Sequence, residues 1–164
     1  MFITVFGQVG AVMTKGDLQK APVRLWLFGL ISLLEMQMLR LIRERFPRGA
    51  WMSLLHHSRA KAARRLHVKR RRRNEEADPS DFSDCLQICD KVRIVLADSE
   101  LSAVARFSTP GEGERFINRL QSLRNDLAHA NDLLKGRWPD LADLALETEA
   151  FLQRLEGAFL REKP

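Results

Sequence analysis

The chain has 164 residues, 45% of them hydrophobic and 29% charged, which describes a globular domain with a real core rather than a disordered chain. Two cysteines without an N-terminal signal pattern give the expectation of a reducing, cytoplasmic setting. The net charge of +6 is unevenly spread: residues 1–73 hold 16 Lys/Arg against 3 Asp/Glu, and residues 74–164 hold 11 against 18. The basic half is an electrostatic footprint fit for a polyanion, and the acidic half could equally be its partner inside a bundle.

Phe2-Ile-Thr-Val-Phe6 and Ala11-Val-Met13, around Gly7-Gln-Val-Gly10, read as two short strands about a turn. Thr14-Lys-Gly-Asp-Leu18 follows. This stretch resembles the end of a CBS domain, where a last strand runs into a Thr-x-x-Asp-Leu segment that contributes to an adenine-nucleotide site. A CBS pair needs far more chain, so residues 1–20 are either a remnant of that kind or an N-terminal hairpin, and residues 21–164 form the helical domain.

Pro22 suits a first helical turn, and nothing from Val23 to Phe46 breaks the helix except the tolerable Gly29. Leu25 to Leu34 is apolar nearly all round, too short to span a bilayer and suited to a helix buried on more than one face. In so small a chain the extra face suggests a second protomer. No membrane partner is expected.

Pro47-Arg-Gly49 ends that helix. A second one is expected from Trp51 to about Asn74, packing through Trp51, Leu54, Leu55 and Leu66. It carries nine Lys/Arg between Arg59 and Arg73, and no acidic residue lies between Glu44 and Glu75. Arg64, Arg65, Lys69, Arg70, Arg71, Arg72 and Arg73 are the candidates to neutralise nucleic-acid phosphates, a contact that weakens with salt and reads no sequence. His56, His57 and His67 lack a ligand constellation and are read as surface or partly buried residues.

Glu75-Glu-Ala-Asp-Pro79 is a candidate hinge, with Ser80 or Asp81 as the next cap. Phe82, Cys85, Leu86, Cys89, Val92, Ile94, Val95 and Leu96 make a core face. Cys85 and Cys89 lack two further ligands nearby and read as packing residues. A short helix, Glu100 to Phe107, is expected behind Ser99, then a loop from Ser108 to Gly113. The last helix runs from Trp138 to about Leu160.

Between them, Phe116, Leu120, Leu123, Leu127, Ala130 and Leu134 recur at steps of four and three, which predicts an amphipathic helix to Leu134, closed by Gly136. Arg124 sits at the edge of the apolar stripe, and Asn125 and His129 fall together on the opposite face. Imidazole takes and gives protons near neutral pH, guanidinium stabilises charge on phosphoryl oxygens, and an amide can orient either.

Arg124-Asn125-Asp-Leu-Ala-His129 resembles the signature of HEPN domains (higher eukaryotes and prokaryotes nucleotide-binding): an Arg, a polar residue and then a His, late in an all-α bundle. The resemblance implies an all-α, HEPN-like helical bundle, here with the short N-terminal β-hairpin or strand remnant. It implies a metal-independent, cofactor-free endoribonuclease whose site forms between two protomers, with Arg124, Asn125 and His129 as catalytic residues and RNA as substrate. Asp90 and Lys91, with Asp84 beside them, are counterparts of an acidic residue and a lysine that some HEPN ribonucleases place on an earlier helix. Many such proteins are toxins or defence effectors, so the resemblance also permits an antitoxin partner. The rival reading is a non-catalytic dimerising module that binds nucleic acid or an acidic partner and relays a signal from an attached CBS region.

Overall fold

A computed structural model describes residues 2–5, 8–12, 14–71, 82–107, 109–134 and 138–161, and they are predominantly helical. First come two short strands, β1 (Phe2–Val5) and β2 (Gln8–Val12), paired antiparallel with Phe2 opposite Val12 and Val5 opposite Gln8. A register shift between Ile3 and Thr4 leaves Gly10 as the extra residue of a bulge. A 3-10 turn, Lys15–Gln19, follows, and Asp17 closes its capping box by accepting the N–H and the hydroxyl of Thr14, each at 2.7 Å. The Lys20 ammonium, then the Thr14 N–H, hold the Asp17 carboxyl below the usual carboxylate range. The Thr14-x-x-Asp17 spacing thus has a local structural use.

Helix α1 (Ala21–Arg45) starts on Pro22, whose missing N–H costs nothing in a first turn, and stops at Phe46 because Pro47 disfavours helix before it. Leu27, Leu30, Ile31, Leu34, Met38, Leu41 and Ile42 make its buried stripe. The stripe packs on α3 (Ile88–Ala97), α5 (Pro110–Ala128) and α6 (Trp138–Arg161), while α4 (Ser99–Ala105) lies against α3 and α6. Phe116 and Phe151 meet at 5.7 Å, nearly edge to face, at the middle of this core, with Phe107 against both. A Cβ on the buried Gly113 would stand 2.5 Å from a terminal methyl of Leu96, so any other residue there would have to displace that side chain. A second cluster, built from Ile42, Trp51, Leu55, Phe82, Cys85, Leu86 and Ile94, lies beneath α2 (His57–Arg71) and includes its Ala63.

Several boundaries differ from the sequence expectation. The second helix begins at His57, not Trp51, because Arg48 (φ 57°) and Gly49 (φ 78°) turn the chain left-handed and a 3-10 segment, Pro47–Leu54, follows. Leu66 on α2 is exposed, whereas His67, expected on the surface or partly buried, is buried against Phe82. The helix expected behind Phe82 begins only at Ile88, with the 3-10 turn Ser83–Cys85 before it. Asp98 rather than Ser99 caps α4, accepting the N–H groups of Glu100 and Leu101 at 3.0 Å each. Pro110 to Gly113, expected in a loop, form the first turn of α5, with Thr109 as N-cap and Pro110 at a position that tolerates proline. The hinge Glu75–Pro79, the caps Ser80 and Asp81, Arg72, Arg73 and Gly136 lie outside the described residues.

By length and composition α1 is able to cross a membrane, with a mean hydropathy of 1.6 over its best window. Counting only Leu25 to Leu34 missed that its apolar residues continue to Ile42. Three other helices cover one stripe of it, and 39% of that window is buried.

Candidate functional site

The predicted motif occupies the last turn of α5. Arg124, Asn125 and His129 are all exposed, and none of their side chains is engaged by another described residue. Asn125 and His129 continue the outermost ridge of α5, with Arg115, Asn118 and Ser122 before them, a ridge that holds no carboxylate, while Arg124 lies to one side of it, at the edge of the apolar stripe. Asn125 and His129 are also joined through the backbone, where the His129 N–H donates to the Asn125 carbonyl at 3.0 Å.

The helix ends differently from the expected run to Leu134. It stops at Ala128, His129 is the C-cap, and Ala130 takes a left-handed φ of 53°. Asn131 N–H reaches back to the Asp126 carbonyl at 2.9 Å and Ala130 N–H to that of Leu127 at 3.4 Å, the bond pattern of a Schellman motif. Arg24, on the first turn of α1, supports this stop. Its guanidinium donates to the carbonyls of Asn131 (2.9 Å), Asp126 (3.1 Å) and Leu127 (3.4 Å), placing a cation where the helix dipole is negative. Gln19 adds two bonds: its side-chain carbonyl accepts the Leu133 N–H at 3.2 Å, and its amide donates to the Asp132 carboxylate.

Asp90 and Lys91 are brought to other partners. Asp90 is buried, takes both nitrogens of a bidentate Arg59 fork at 2.8 Å, and accepts the Gln87 N–H at 3.1 Å to close the cap of α3. That carboxylate raises the Arg59 guanidinium further above its ordinary value. Lys91 is buried with its ammonium 3.2 Å from Glu35. Glu35 lies eleven residues along α1 from Arg24, an axial separation of about 16 Å. Within one chain, then, Asp90 and Lys91 sit toward the far end of α1 from the Arg124–His129 turn. Asp84 is exposed and paired with Arg43 at 2.6 Å. Cys89 lies beside Asp90, and burial pushes its thiol above its ordinary value, the setting of a packing cysteine.

Helix α2 touches the body along one narrow stripe: Arg59, Ala63, His67 and Arg70, the last donating to the Asp84 carbonyl at 3.4 Å. Lys61, Arg64, Arg65, Lys69 and Arg71 are exposed on the remaining arc, and none of them forms an ion pair with a described residue. Other arginines of the basic half are tied to the acidic half: Arg43 to Asp84, Arg45 to Asp98 and Glu100, and Arg59 to Asp90. These pairs tie part of the basic half to the acidic half within the fold.

A cleft of about 320 Å³ lies at the other end of α5, among Arg93, Ser102, Phe107, Thr109 and Glu114. Among the described residues, no three of His, Cys, Asp and Glu converge as a metal site would require.

No protein-family model, no curated protein and no solved structure matches this chain.

Sequence reasoning missed Gln19 and Arg24. Their partners lie more than a hundred residues away, and a lone arginine opening an apolar helix carries no local signal.

Proposed function

We propose that the chain is a metal-independent endoribonuclease of the HEPN kind, acting as a homodimer. One observation carries this reading: the last turn of α5 bears an amide and an imidazole on one face and a guanidinium beside that face, all exposed and unengaged by any described residue.

In the proposed reaction His129 takes the proton of a ribose 2′-hydroxyl as that oxygen attacks the adjacent phosphorus. The new O2′–P bond forms as the P–O5′ bond breaks, and the leaving 5′-oxygen takes a proton from the imidazolium of the second copy. The products are a 2′,3′-cyclic phosphate and a 5′-hydroxyl. Arg124 offers its planar donor fork to the phosphorane oxygens, whose charge grows in the transition state. Asn125, four residues before His129 on the same face, holds the phosphate or the imidazole in line. The exposed cations of α2 draw in the RNA backbone without reading its bases. A toxin role restrained by an antitoxin is compatible with this chemistry.

Mixed RNA incubated in EDTA with the wild type, Arg124→Ala and His129→Ala tests the reading. Wild type is expected to yield cyclic-phosphate ends, and each variant to fall at least about a hundredfold below it. A folded wild-type dimer that leaves RNA intact rejects it.

The second reading, a non-catalytic module that binds nucleic acid and relays an N-terminal signal, is favoured by the α2 cations together with the bonds from Gln19 and Arg24 to the end of α5. It expects RNA binding that needs α2 but not His129, with no cleavage.

A further inference from the structure

The end of α5 is contested between two shapes. The apolar period runs on through Leu127, Ala130 and Leu134, a pattern that would carry the helix to Leu134, while Asn131 and Asp132 are weaker helix formers that suit a turn. The fold stops the helix at Ala128 and holds Ala130 at φ 53°, a conformation that costs a non-glycine residue about 1 kcal/mol or more.

The turn holds itself in part, through Asn131 Nδ2 donating to the Asp126 carboxylate at 3.1 Å and the Leu134 N–H to the Asp132 carboxylate at 2.8 Å, and a second set of bonds comes from one distant stretch, Gln19 to Arg24. The Arg24 fork ties together the carbonyls of Asp126, Leu127 and Asn131. Gln19 holds the Leu133 N–H and the Asp132 carboxylate. With the chain so turned, Leu133 is buried in the main core. A helix continued to Leu134 would hand the Asp126 and Leu127 carbonyls to the amides of Ala130 and Asn131, and would carry Asp132 and Leu133 away from Gln19. The two shapes exclude each other.

We propose that Gln19 and Arg24 are positioning residues for His129, selecting the short form of α5 and so setting the imidazole relative to Arg124 and Asn125. The catalytic meaning of that placement rests on the ribonuclease reading; the selection of the short form does not. Gln19 ends the 3-10 turn that leads from the hairpin to α1, so a displacement of Thr14–Lys20 is felt at His129. The N-terminal segment is thereby a control input to the candidate site.

Backbone carbon chemical shifts of residues 126–134, recorded on the full chain, read the shape directly. In the wild type, helical shifts are expected to end at Ala128 with Ala130 left-handed. In Arg24→Met and in Gln19→Ala they are expected to extend toward Leu133. Adding Ala130→Gly, which favours the left-handed turn, is expected to restore the wild-type pattern. A helix that still ends at Ala128 in both single variants overturns the proposal, and Gln19→Ala decides alone where Arg24→Met does not fold.

The kinetic half is read on the same proteins. Arg24→Met is expected to lower kcat by about tenfold or more with KM little changed, and Ala130→Gly to recover it. Shifts that move while kcat stays at the wild-type value overturn the positioning role. A wild type that does not cleave rejects the ribonuclease reading and leaves the chemical shifts to decide whether the clamp exists.

Discussion

His129 and Asp90 show what separates a free group from a structural one. His129 is exposed and its ring meets no described partner, whereas Asp90 is 1% exposed and its two oxygens accept from Arg59 and Gln87. Removing His129 or Arg124 takes nothing from the fold. Removing Asp90 leaves a guanidinium that is only about one-third exposed with the Gln87 side chain as its remaining oxygen acceptor, opens the cap of α3 and weakens the tie between α2 and α3. Urea unfolding is expected to show a loss of about 3 kcal/mol for Asp90→Ala and changes within about 0.5 kcal/mol for Arg124→Ala and His129→Ala. Comparable losses for His129→Ala and Asp90→Ala would make His129 a structural residue. The outward placing of Arg124, Asn125 and His129 was legible in the sequence because it follows from the helical period alone. The fates of Asp90 and Lys91 were not, since their partners stand 31 and 56 positions away and no local rule names them.

At the scale of elements, apolar period and proline punctuation sufficed for α1 and α6, whose stripes are long and regular. They failed where long-range or backbone-specific forces decide. The left-handed pair Arg48–Gly49 pushed the start of α2 to His57, and the bonds from Gln19 and Arg24 cut α5 short of Leu134. Helix α2 is the element whose composition says most about a partner. Its inner stripe is narrow, and its outer arc holds five cations that no described carboxylate neutralises. If that arc follows an RNA backbone, the triple change Arg64→Gln, Arg65→Gln and Lys69→Gln removes three phosphate contacts. The slope of log Kd against log salt for a single-stranded RNA should then flatten by about 2, at roughly 0.7 per phosphate. Fluorescence anisotropy across a salt series, in a His129→Ala background that keeps the RNA intact, measures it. An unchanged slope would return α2 to the role of a solvated helix.

For the whole molecule the open question is what lies on the outer side of α1. That helix buries one stripe in the core and turns a second apolar stripe outward. Leu25 is 70% exposed, Trp26 53%, Phe28 49%, Leu33 48% and Met36 65%. Together they present roughly 600 Å² of apolar surface, at the top of the range for the largest patch on a monomer. Two such patches facing one another would bury roughly 1,200 Å², the lower bound for a specific interface before any polar rim is counted. Nothing stands within 4 Å of a Cβ built on Gly29, which lies amid these residues, so a second helix has room to approach there. The proposed homodimer would set a second copy of this chain against that patch, matching it to itself. The same face also begins next to Arg24, and so next to the Arg124–His129 turn, which the proposed reaction needs in two copies. Sedimentation of the wild type is expected to give a dimer at micromolar concentration. Leu25→Glu with Met36→Lys is expected to give a folded monomer, because both side chains are already mostly in solvent and their change costs the fold little. Loss of RNA cleavage with the dimer, recovered at raised protein concentration, would tie the seam to the chemistry. A variant that stays dimeric would place the seam on another face, and a wild type that is monomeric would leave the site without the second imidazole that the mechanism requires.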